Sequence, residues 1–99
     1  MRRPSRKKLA IGDIVRVIWV DIEAKSGWIE RDAFERWAKA GFEDRITYGA
    51  VQFSLPQALV LASSKSPGDT DAHVGEATKF PWCVIRRIDV LEETENGTA

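Results

Sequence analysis

Ile11-Gly12-Asp13-Ile14-Val15-Arg16-Val17-Ile18-Trp19-Val20-Asp21-Ile22 decides the architecture of this 99-residue chain. Ile14, Val15, Val17, Ile18, Val20 and Ile22 are β-branched, the side-chain shape that suits a pleated strand and crowds a helix. Both alternating faces of the stretch are apolar. A strand over residues 11–22 is therefore expected to be covered on both sides for at least part of its length. Ala24-Lys25-Ser26-Gly27 then turns the chain.

Downstream of that turn the period changes. Phe34, Trp37 and Ala38 recur at helical spacing, with Arg31, Glu35, Arg36 and Lys39 on other faces, which predicts a helix over residues 30–40. Glu30 and Asp32 sit near its positive end. Gly41 suits a left-handed stop that would bring Phe42 onto Trp37. Three turns of helix are marginal alone, so this one is expected to dock on something. From Arg45 the period returns to two. Strands are expected over residues 45–54 (with a bend at Gly49), 58–63, 73–80 and 85–91, with turns at Leu55-Pro56-Gln57 and from Pro81. Residues 64–72 read as a polar loop. The result is a mainly β chain with one helix between strands one and two. Closure into a small barrel would hide the edges that five strands otherwise expose.

Two stretches carry a resemblance. Gly12-Asp13-Ile14-Val15-Arg16-Val17 resembles the opening strand of SH3-like barrels. Phe80-Pro81-Trp82-Cys83-Val84-Ile85-Arg86-Arg87-Ile88 resembles their short 3₁₀ turn and last strand. Trp19-x-Asp21, Gly27-Trp28 before the helix and Tyr48-Gly49 in a strand make residues 11–91 similar to small proteins of tailed phages and prophages. The resemblance implies a five-stranded SH3-like barrel of phage type. It implies no ligand: the acidic and aromatic signatures with which SH3 domains hold polyproline are absent, as are the RNA-binding motifs of Sm and Hfq proteins.

Charge divides the chain. Lys plus Arg and Asp plus Glu are 15 each, yet Arg2, Arg3, Arg6, Lys7 and Lys8 put five cations and no acid into residues 1–8. The remainder is therefore −5. A flexible basic arm over 1–8, one domain over 9–91 and an acidic disordered tail over 92–99 are expected. Hydrophobic residues at 43% and charged residues at 30% suit a globular chain. No stretch approaches the roughly 18 apolar residues of a spanning helix, and no apolar segment follows the basic start as in a signal peptide. A single cysteine, Cys83, forms no internal disulfide and suits a reducing cytoplasm, that of a host cell if the chain is phage-encoded. Its apolar neighbours predict a small buried side chain.

Catalytic patterns are missing: there is no phosphate-cradling glycine loop, nucleophile elbow or zinc-binding helix. Asp69, Asp71 and His73 are spaced like ligands reaching one point. A calcium loop from Asp69 would need glycine and a carboxylate where Val74 and Phe80 stand, so a solvated turn is expected there. No enzyme activity, metal or cofactor is expected. Aromatics beside cations carry the binding signal: Trp28, Trp82 with Arg86 and Arg87, and Tyr48 with Arg45 offer stacking faces and forked donors. These six are the candidate site, and Arg2, Arg3, Arg6, Lys7 and Lys8 are a candidate nucleic-acid arm. The leading expectation is a non-catalytic module that grips a host or viral protein. The alternatives are a nucleotide-sequestering protein acting against signalling-based defence, built at a homo-oligomer seam, and a nucleic-acid-binding accessory protein using the arm. No membrane partner is expected.

Overall fold

A computed structural model describes residues 9–65 and 73–94 of the chain. Five strands run in the order β1 (Ile14–Val20), β2 (Asp44–Ser54), β3 (Ala58–Lys65), β4 (Val74–Pro81) and β5 (Ile85–Glu92). Helix α1 (Arg31–Lys39) lies between β1 and β2, and a 3₁₀ turn (Trp82–Val84) joins β4 to β5. All pairings are antiparallel, and the sheet order is β4-β3-β2-β1-β5. The chain is mainly β, as its periodicity predicts. The basic arm, residues 66–72 of the polar loop (with Asp69 and Asp71) and residues 95–99 of the tail lie outside the described residues. Within them, no helix is long and apolar enough to cross a membrane.

One face of the sheet makes the core. Val15 and Val17 of β1, Val51 of β2, Leu59 and Leu61 of β3, Phe80 of β4, Trp82 and Ile85 pack into a single buried cluster. Alternation explains the choice on β1: Val15 and Val17 point inward, while Arg16 between them and Ile18 after them are half-buried and Ile14 is exposed. The second face of this strand is thus only partly covered, and β1 is shorter than the apolar run around it. Ile18 faces outward beside Ile46 of β2 and Arg87 of β5, its partners in the two ladders.

The sheet curls. Trp19 of β1 meets Phe80 of β4 edge-on at 5.4 Å between ring centroids, although β2 and β3 separate these strands in the hydrogen-bonded order. Such a contact requires the sheet to bend over its own core. Gly49 helps: a Cβ there would stand 3.1 Å from Leu61 Cβ and 3.2 Å from Ala62 O, so glycine lets β2 approach β3. The irregularity of β2 lies between Val51 and Phe53, two to four residues beyond the bend expected at Gly49. An extra residue, Gln52, twists the strand there.

Helix α1 departs from expectation at its end. Ala40 is already extended, with φ −68° and ψ 149°, and its N–H reaches Arg36 O and Trp37 O. Gly41 does not take the left-handed conformation, since Gly12 and Gly27 are the glycines with positive φ among the described residues. Four residues separate the helix from β2, and an extended exit spans that gap more directly than a left-handed stop.

Candidate functional site

The connection from β1 to β2 is where apolar side chains meet solvent. Residues 21–30 are all exposed, with Trp28 fully so. No residue of α1 is buried, and Glu30 supplies no side-chain cap. Phe34 is 40% exposed and stacks on Trp37 at 6.2 Å, and the Arg31 guanidinium lies 6.0 Å from the Phe34 ring. Glu23, Trp37, Ala38, Ala40 and Phe42 line a groove of about 240 Å³ between the helix and the chain that leads into it. A nine-residue helix with neither a side-chain cap nor a docked face is poorly supported by its own residues. Ile22, Trp28, Ile29, Phe34 and Phe42 form its exposed apolar surroundings.

The other candidate residues scatter. Trp82 is 2% exposed, and its indole N–H donates to Leu55 O at 2.8 Å. It is therefore a core residue, out of reach of a ligand, because the 3₁₀ turn aims it inward. Cys83, next to it on the same turn, points the other way and is exposed, contrary to its apolar sequence context. Arg45 is exposed and stands opposite Trp19 in the β1–β2 ladder, while Trp19 donates its own indole N–H to Thr47 Oγ1 at 2.9 Å. Arg86 pairs with Asp44 at 2.9 Å. Asp21 is exposed and accepts the N–H of Ile22 at 2.9 Å, as a solvated strand end would.

Tyr48 and Arg87 come together on the outer face through a residue that sequence reasoning passed over. Arg16 stands between them, opposite Tyr48 in one ladder and Asp89 in the other. Its Nε and Nη2 donate to Asp89 Oδ2 at 3.0 and 2.8 Å, and Arg87 donates to the same oxygen at 3.2 and 3.0 Å. The two guanidinium groups, Arg16 first, hold the Asp89 carboxyl below its ordinary pKa. Asp89, then Tyr48, raise that of Arg16. Tyr48 itself is 54% exposed. In sequence Arg16 is one cation within an apolar strand; only pairing with β5 gives it a carboxylate.

Among the described residues no group of His, Cys, Asp and Glu side chains is arranged to hold a metal ion. His73 stands exposed just before β4. No family model, curated protein or solved structure matches this chain.

Proposed function

We propose that this chain is a non-catalytic protein-interaction module, in which a small SH3-like barrel carries residues 21–43 as the gripping element. The observation that carries the reading is the undocked apolar surface of that segment: Trp28 fully exposed, Phe34 and Phe42 partly so, around a helix with no buried residue. Small proteins rarely leave such a patch in water without a partner for it, and tryptophan dominates interface energetics where it is buried on binding. The barrel reading is supported by the curl that joins Trp19 to Phe80 and by the 3₁₀ turn between β4 and β5. The partner suited to this surface is another polypeptide, host or viral, offering an apolar groove for an amphipathic helix.

Nucleotide sequestration would need an aromatic face beside uncommitted arginines. Trp82 is buried, and Arg86 and Arg87 are engaged by Asp44 and Asp89. Tyr48 remains for that reading, but the arginine beside it, Arg16, is itself engaged by Asp89.

Photo-crosslinking separates the two. A photoreactive side chain at Trp28 or Phe34 is expected to capture a polypeptide in the cell that makes the protein, whereas one at Tyr48 captures none. Equal capture from both faces, or none from residues 28 and 34, would overturn the interaction reading. Quenching of tryptophan or tyrosine emission by mononucleotides or cyclic dinucleotides, lost in Tyr48→Ala, would favour the alternative.

A further inference from the structure

The sheet curls without joining its ends. β4 and β5 stand last in the hydrogen-bonded order, and no described strand pairs with the outer side of either. Such an edge presents a row of backbone N–H and C=O groups that another strand can take. The two edges differ in how far they permit it. Glu76 of β4 has φ +53°, which turns the backbone out of the extended form a ladder needs, and Pro81 at the end of that strand has no N–H to give. β5 contains no proline, glycine or lysine and no residue with positive φ. Ile85 is its one buried residue, and Arg86 to Glu92 are half-buried or exposed.

The ladder with β1 fixes which way the β5 side chains point. Arg87 and Asp89 stand opposite Ile18 and Arg16 on the outer face, and Ile88 stands opposite Val17 on the core face. Pairing is regular from Arg87 to Val90, between two register shifts. In an antiparallel pair, residues directly opposite share a face, so a two-fold axis between two β5 strands passes through a residue of this stretch. An axis at Arg87 or at Asp89 sets like charges opposite one another, which is destabilising. At Val90 it sets Ile88 against the partner's Glu92. At Ile88 it sets Arg87 opposite the partner's Asp89, twice, on either side of an apolar pair. These groups have capacity for the exchange. All four N–H donors of Arg16 and Arg87 converge on Asp89 Oδ2 at 2.8–3.2 Å, so that network uses neither Asp89 Oδ1 nor Arg87 Nη1. The Arg87 side chain is 62% exposed.

We propose that β5 is a self-recognition edge, through which two copies of this chain pair antiparallel about a two-fold axis at Ile88. Each Asp89 is then held by Arg87 of its own chain and by the partner's Arg87. Charge complementarity selects a second copy as the occupant, since the edge is its own complement in this one register. Neither the helix nor its apolar surroundings take part. An edge of this length buries less than the roughly 1,200 Å² of a standard interface, so the dimer is weak and depends on concentration.

Sedimentation velocity of the full chain, up to millimolar concentration, reads the equilibrium and is expected to show monomer passing to dimer. Arg87→Glu and Asp89→Lys each set like charges opposite one another and are expected to weaken association about tenfold or more. Mixed one to one, the two variants are complementary at both positions, and the mixture should recover the dimer. Circular dichroism checks that each variant folds. Hydrogen exchange of the parent chain needs no variant: β5 amides should gain protection as concentration rises, and β4 amides should not. Phe34→Glu should leave association unchanged. A parent chain that stays monomeric at millimolar concentration, or whose β5 amides gain no protection, would overturn the proposal. So would single variants that associate like the parent, a mixture that stays monomeric, or association lost in Phe34→Glu.

Discussion

Trp82 donates its indole N–H to the carbonyl of Leu55 at 2.8 Å, bridging the 3₁₀ turn to the β2–β3 turn 27 positions earlier. The bond fixes the ring in the core cluster beside Phe80 and Ile85. Trp82→Phe keeps most of the apolar volume and removes the donor, and Leu55 O retains a longer bond from Ala58 N–H at 3.4 Å. The expected loss is about 1 kcal/mol, against about 3–5 kcal/mol for Trp82→Ala, which also leaves a cavity. Urea unfolding followed by circular dichroism measures both; an unchanged midpoint in Trp82→Phe would show that the bond contributes nothing of its own.

Gly49→Ala is expected to destabilise by about 1–3 kcal/mol, because the added methyl meets Leu61 Cβ and the Ala62 carbonyl within 3.1–3.2 Å. Gly41→Ala serves as the control, since nothing lies within 4 Å of a Cβ there. A shift in thermal midpoint for Gly49→Ala alone is the expected outcome.

Just before β1, Asp13→Ala strips the acceptors from Ala10 N–H and Thr94 N–H. About 1–3 kcal/mol is the expected cost of leaving such partly buried groups unpaired. Hydrogen exchange should locate the effect, with the Thr94 amide losing protection while amides in the centre of β3 keep theirs.

Acid sensitivity should trace to Asp89. Its folded pKa lies below the unfolded value because Arg16 and Arg87 donate to the carboxylate. Stability from this source is present above the unfolded pKa and is lost as pH falls through the folded one. Asp89→Asn is therefore expected to be less stable than the parent at pH 7 and to lose less stability between pH 5 and pH 2. Parallel curves of urea midpoint against pH would refute the assignment.

Phe34→Glu and Trp28→Ala alter side chains the fold does not bury, so stability should change by no more than about 0.5 kcal/mol. Polypeptide crosslinking at this surface should nevertheless be lost. Acrylamide should quench Trp28 freely and Trp82 hardly at all, which can be read from emission of the single-tryptophan variants.

Sequence alone determined the elements. A β-branched run marked β1, though it overran the strand at both ends, runs of alternating residues marked the others less cleanly, and the spacing of Phe34, Trp37 and Ala38 placed the helix to within a residue at each end. These signals are local, written by side-chain direction on a strand or helix. What they left open is everything that depends on which residues meet across distance. β1 is apolar on both faces, so its pattern does not say which face the core takes; pairing with β2 and β5 turned Val15 and Val17 inward and gave Arg16 its carboxylate. Trp82 and Cys83 are neighbours in one apolar run, and only the 3₁₀ turn sent one into the core and the other to solvent. The helix has the apolar stripe of a docked element, yet none of its residues is buried, and only Ala33 and Trp37 are half-buried. A stripe records that burial is favourable. Whether the chain itself supplies the opposite surface is decided by tertiary structure, and here no residue of the helix is buried.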